Sequence, residues 1–151
     1  FEKDQTLILK NAPYKFESGT ANIEGVLGLE EAIKYSKERK QFGKPLCKHQ
    51  AIAFMLADMA TEVEAMRGLL YQAAWMKDKG SKEVGKFASM AKYYCAEKAN
   101  EICGKAVQIH GGYGFMKDYK VERFYRDARV MTIYEGTSQV QQMVISRAIL
   151  K

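Results

Sequence analysis

The sequence predicts an all-α protein, an up-and-down four-helix bundle, on three observations. Ile52, Met55, Leu56, Met59, Val63, Met66 and Leu70 recur at the spacing of one helix face. A second long stretch, rich in Ala, Lys and Glu, places Val84, Phe87, Ala91, Tyr94, Cys95 and Ile102 on another face. Short breaks bearing glycine or proline separate the helical stretches, and no tract alternates apolar and polar residues as a strand would.

Residues 1–17 read as an irregular lead-in, because Pro13 disfavours helix at Ala12. A first helix is expected over 18–38, started by Ser18-Gly19-Thr20, with Ile23, Val26, Leu27, Ile33 and Tyr35 as a rough apolar stripe. Gly19, Gly25 and Gly28 each weaken it by about 1 kcal/mol unless a neighbour packs close. Gly43 and Pro45 close a charged break, and the clearest helix follows over 46–79. Gly80-Ser81 ends that helix, and another is expected over 83–110. His110-Gly111-Gly112-Tyr113-Gly114-Phe115 is a glycine-rich turn. A short helix over 120–129 turns Val121, Phe124, Tyr125 and Ala128 to one side, and a last helix over 137–150 carries Val140, Met143, Val144 and Ala148 inward. Residues 18–151 thus form one helical domain.

With 151 residues, the chain is long enough for a proper core. Hydrophobic residues at 47% and charged residues at 28% suit a globular protein. The net charge of +6 is spread along the chain apart from Lys37, Arg39, Lys40 and Lys44. That pattern favours an anionic small ligand over nucleic acid, and no aromatic-and-basic RNA-binding motif is present. Cys47, Cys95 and Cys103 have no metal-ligand spacing and are odd in number, which points to a reducing compartment and to no metal site. No apolar run is long enough to span a membrane, and Phe1-Glu2-Lys3-Asp4 resembles neither a signal nor a transit peptide. The absence of an initiator Met suits a fragment or a processed chain.

Chemistry concentrates in Ile133-Tyr134-Glu135-Gly136-Thr137-Ser138-Gln139-Val140-Gln141. Glycine beside a glutamate lets a ligand approach closely, and Thr137 or Ser138 can cap the helix that follows. Taken alone, the stretch also reads as a loop glutamate placed favourably at a helix N-terminus.

Four motifs in order carry a family resemblance. They are Arg39-Lys40-Gln41-Phe42-Gly43-Lys44-Pro45-Leu46 with His49-Gln50, Gln108-Ile109-His110-Gly111-Gly112-Tyr113-Gly114-Phe115, Tyr125-Arg126-Asp127-Ala128-Arg129, and Ile133-Tyr134-Glu135-Gly136-Thr137-Ser138-Gln139. Residues 31–151 resemble the C-terminal helical domain of the acyl-CoA dehydrogenases. The resemblance implies that domain's bundle and α,β-dehydrogenation of acyl-CoA thioesters, with FAD as cofactor and electron-transfer flavoprotein as electron acceptor. It implies Glu135 as the base for the α-proton, acting in a dry pocket that raises its pKa. Tyr134 and Gly136 then face substrate. Arg39 contacts the FAD pyrophosphate, Phe42 lies near the adenine end, and His49 and Gln50 meet the cofactor at the start of the long helix. Gln108, Gly111 and Gly112 contact adenosine, and Thr137 and Gln139 touch the flavin. In the family the Arg39 and Gln108 contacts reach a neighbouring subunit's FAD, which implies a homo-oligomer, a dimer or a tetramer. Without the resemblance, Arg39 reads as a solvated residue in a charged run, His49 as a capping or surface histidine, and Gly111-Gly112 as a plain helix-ending turn. The implied compartment is the mitochondrial matrix or the bacterial cytoplasm.

Two departures from the family pattern shape the expectation. The family's N-terminal helical domain and middle β-domain are not in this sequence, so the chain by itself is expected to be inactive. The first helix also lacks the family's basic start. Instead Tyr14-Lys15-Phe16-Glu17-Ser18-Gly19-Thr20-Ala21-Asn22-Ile23-Glu24-Gly25, continuing to about residue 34, resembles a segment of pyridoxal-phosphate cysteine desulfurases. That suggests a fusion or chimera joined near 31–36, without the pyridoxal-phosphate lysine motif. The alternative function is a non-catalytic helical bundle, natural or engineered, that self-associates; a third reading, nucleic-acid binding through the positive charge, predicts strongly salt-dependent affinity.

Overall fold

The structure is a computed structural model that describes residues 23–151; the lead-in over 1–17, the expected helix start at 18–22 and the first part of the cysteine-desulfurase-like segment lie outside these residues. Five α-helices follow in order: α1 (Ile23–Glu38), α2 (Gln50–Asp78), α3 (Val84–His110), α4 (Val121–Val130) and α5 (Ser138–Ile149). The all-α expectation holds, with α3 as the hub, packed by each of the other four helices.

The face that α1 buries differs from the expected one. Gly25, Gly28, Ala32 and Ser36 face inward at helical spacing, whereas Ile23 and Val26 of the expected stripe are 54% and 42% exposed. Small residues win because they let the α1 backbone approach α3 closely. A Cβ at Gly28 would lie 3.3 Å from Cys103 Sγ and 3.6 Å from its Cα, and the Cys103 thiol donates to the Glu24 carbonyl at 3.3 Å. Gly28→Leu is therefore expected to cost about 3 kcal/mol through overpacking, read as a lower denaturant midpoint at unchanged slope.

The break after α1 contains a hairpin that was too short to show alternation in sequence. Lys40–Gln41 (β1) pairs antiparallel with Lys44–Pro45 (β2) around Phe42 and Gly43, at φ 52° and 79°. Positive φ at both central residues matches the twist of the flanking strands. A 3-10 turn over Leu46–Lys48 follows, so α2 starts at Gln50 and not at 46. His49, extended at φ −86° and ψ 127°, holds this junction by donating from Nε2 to the Gln41 carbonyl at 3.0 Å.

The predicted α2 stripe is the core: Met59, Val63 and Met66 are buried, and Ile52, Met55 and Leu56 pack against them. With Ala32 of α1, Ile102, Ala106 and Ile109 of α3, and Val121 of α4, they form one apolar cluster. A second cluster joins Ala96, Ala99 and Cys103 of α3 to Phe124, Ala128 and Met131, with Leu27 and Tyr134 against it. Two expectations are corrected here. Tyr125 is 51% exposed and lies over Gly104 instead of joining Val121, Phe124 and Ala128 inside. In α5, Val140, Met143 and Val144 point outward, while Ser138 is buried and Gln141, Ile145 and Ala148 are half-buried. The physical reason is that α5 packs mainly on α3, and the Ser138 hydroxyl bound to Glu97 at 2.5 Å sets its rotation.

Candidate functional site

The residues that carry the motifs fall in two places along α3. At its C-terminal end, Arg39, Gln41, Gly111, Gly112 and Tyr113 line a cleft of about 560 Å³ together with Tyr35, Leu46, Ile109, His110 and Met116. The cleft exists because α3 stops there: Gly111 takes φ 59°, its N–H turns back to the Gln108 carbonyl, and a 3-10 turn over Gly111–Phe115 folds against the last helical turn. Gly114 makes that fit possible, since a Cβ on it would meet the Val107 carbonyl oxygen at 2.4 Å.

Three rings, two of them in the cleft wall, hold the turn. Tyr35 stacks on His110 with centroids 4.1 Å apart, and Tyr119 meets both edge-on. His110 Nδ1 donates to the Ala106 carbonyl at 2.8 Å. The Arg39 guanidinium lies over the Tyr113 ring, 5.5 Å from its centroid. Phe42, 94% exposed at the hairpin tip, meets His49 edge-on, while Gln50 at the start of α2 and Gln108 near the end of α3 are exposed.

Burial lowers the pKa of His110, against the opposing pull of its bond to Ala106 and the charge of Glu31. A depressed histidine pKa means the unfolded chain binds the proton first. Stability is thus complete above the unfolded value of about 6.5 and falls as pH drops through it toward the lower folded value. His110→Asn is expected to flatten that acid limb of stability, measured by denaturant titration between pH 7 and 5.

The second place is the loop between α4 and α5, which meets α3 about 27 Å from the cleft at a rise of about 1.5 Å per residue from Lys92 to His110. Met131 and Thr132 are buried, Ser138 N–H donates to the Thr132 carbonyl at 3.0 Å, and Thr137 caps α5 by accepting from Val140 N–H at 3.3 Å. Between these anchors Glu135 takes φ 52° and Gly136 φ 92°. Tyr134 is half-buried against the second core cluster, and Glu135 and Gln139 are exposed. The expected dry pocket around Glu135 is not built by these residues; the loop displays the carboxylate instead of burying it. The structure thus brings Arg39, Gly111 and Gly112 together, and separately Tyr134 to Gln139, but not one group with the other.

With that geometry, the relatives of the chain decide its family. The sequence profile of the acyl-CoA dehydrogenase C-terminal domain matches residues 25–150. The chain belongs to this family. The caffeyl-CoA reductase-Etf complex subunit CarC of Acetobacterium woodii is 68% identical over 82% of this chain and 32% of its own length. The probable acyl-CoA dehydrogenase YngJ of Bacillus subtilis is 44% identical over 98% of this chain and 40% of its own. The solved butyryl-CoA dehydrogenase of Megasphaera elsdenii superposes with a TM-score of 0.83 at 45% identity, over 86% of this chain and 34% of that one. The chain therefore spans about a third of the length of the acyl-CoA dehydrogenase relatives it matches.

These matches remove the support for a fusion. The acyl-CoA dehydrogenase profile begins at residue 25, and the YngJ alignment runs through the expected join at 31–36. Physically, the small-residue face of α1 that fits against Cys103 is part of this domain's own packing. Sequence reasoning also missed Lys92 and Glu97 beneath the Glu135 loop, and it read Ser138 only as a possible cap, Tyr35 only as part of an apolar stripe and Tyr113 only as part of a motif. Lys92 carried the one legible signal, a lysine set among the small residues Ser89, Ala91 and Ala96.

Proposed function

We propose that this acyl-CoA dehydrogenase domain transfers the α-proton of an acyl-CoA thioester through Glu135, within an FAD-dependent enzyme that makes or saturates the α,β double bond. The backbone at Glu135 carries the reading. A left-handed glutamate at φ 52° followed by Gly136 at φ 92° is an uncommon conformation, held between a buried loop and a capped helix. Such a turn sets the carboxylate apart from the helix and leaves the glycine side open to a thioester.

The chemistry of the cleft fits FAD. Arg39 offers a planar fork of donors for the diphosphate, and among the described residues no heavy atom outside the local backbone lies within 4 Å of where a Cβ of Gly111 or Gly112 would sit, so the backbone is open to close approach. In this reading Arg39, Phe42, His49 and Gln50 hold one FAD with Gln108, Gly111 and Gly112, while Thr137 and Gln139 meet the flavin end of another. When bound, FAD supplies the two-electron exchange. Glu135 takes or returns the α-proton, its main-chain N–H polarises the thioester oxygen, and Tyr134 and Gly136 contact the acyl group. In this reading the walls that dry the exposed Glu135 come from other domains or subunits. The separation of cleft and loop along α3 supports a homo-oligomer, a dimer or a tetramer, in which the two places serve different flavins. The relative CarC supports the reducing direction, with Glu135 giving the proton to the α carbon, and an electron-transfer flavoprotein as redox partner. Bacterial relatives support the bacterial cytoplasm, and no described helix is long and apolar enough to cross a membrane.

The test is a hybrid in which residues 23–151 replace the C-terminal third of YngJ. A flavin-loaded hybrid that turns over CoA thioesters is expected. A folded, flavin-loaded hybrid with no turnover on any of them would favour the non-catalytic bundle.

A further inference from the structure

Beneath the Glu135 loop, the buried Ala96 and Ala99 of α3 belong to the cluster that Met131 and Tyr134 join, and Lys92 stands one helical turn before Ala96. A half-buried ammonium is costly unless it is partnered. Lys92 Nζ donates to the Met131 carbonyl and lies 5.3 Å from the centroid of the Tyr134 ring. Both partners belong to the short segment that leads into Glu135. We propose that Lys92 is the positioning residue of this loop: it ties the Met131 carbonyl and the Tyr134 face to α3 and so sets the segment that leads into Glu135.

The chemistry suits a lysine. A long stem with three donors reaches a carbonyl and an aromatic face together, and an ammonium over a ring is attracted by its electron-rich face. Burial pushes the Lys92 pKa down, and the carboxylates of Glu135 and Glu97 pull it back up. Glu97 is itself bound to the Ser138 hydroxyl, so Lys92 and Glu97 grip the loop on its two sides. The inference rests on the proposed function only in calling Glu135 the base; the grip on the loop stands on geometry alone.

The test uses the full chain without cofactor. In a nitrogen-15 titration the Lys92 ammonium is expected to lose its proton below the exposed lysines. Lys92→Met speeds amide exchange over 132–136 at least tenfold relative to the α2 core, and Lys92→Arg restores most of the protection. A Lys92 ammonium that titrates with the exposed lysines, or loop exchange unchanged in Lys92→Met, overturns the proposal. Should Lys92→Met fail to fold, the titration and the Lys92→Arg exchange still decide it. Loss of turnover in the hybrid with these two signatures intact would count against the proposed function and not against Lys92.

Discussion

Glu135→Gln in the hybrid enzyme is expected to lower turnover of CoA thioesters by about a hundred- to ten-thousand-fold, the range of a general base, while thioester and FAD affinities change little. Glutamine keeps the volume and hydrogen-bonding ability of the side chain but cannot accept the α-proton. Because Glu135 is exposed in this domain and makes no packing contribution to either apolar cluster, the substitution leaves the fold alone. Loss of kcat with KM retained is therefore the expected split. Full activity in Glu135→Gln would remove Glu135 from the reaction and move the proton transfer to another group.

Gly114→Ala is expected to produce the largest structural effect. An added Cβ at this buried position would lie 2.4 Å from the Val107 carbonyl oxygen, 3.0 Å from Val107 Cα and 2.9 Å from His110 Cβ. Two of these atoms are helix backbone, so relief requires the 111–115 turn to lift from α3. Overpacking of this kind costs about 3 kcal/mol, a fall in Tm of roughly 6–12 °C for a chain of this size. The lifted turn carries Gly111, Gly112 and Tyr113 with it, so FAD retention in the hybrid is expected to fall together with Tm. Unchanged melting and retention would show that the turn relaxes without disturbing the cleft.

The legible parts of the structure were those governed by local periodicity. The α2 stripe from Ile52 to Met66 follows from spacing alone, because a long amphipathic helix has one face to bury. A cap at Thr137 or Ser138 and the end of α3 at Gly111 follow from residue type, as these groups satisfy helix ends whatever packs nearby, but only the structure chose Thr137. Faces that depend on a neighbour were not legible. In α1 the large apolar residues looked like the core, yet the glycines and alanine went inside because close approach to α3 outweighed burying Ile23 and Val26. In α5 the inward face turned to Ser138 and Ala148, away from Val140 and Met143, because the Glu97 bond to Ser138 fixed the rotation of the helix. The Phe42–Gly43 hairpin was hidden because two residues a side show no alternation.

The sequence by itself determined the helices, the order of the motifs and the glutamate before a capped helix, all properties of neighbours along the chain. Only the tertiary structure decided that the motifs divide between two ends of α3, and that Lys92, 43 positions before Glu135, reaches the loop that displays it. The reason is that such meetings depend on which helix faces pack together, and packing is settled by shape and burial summed over the whole core.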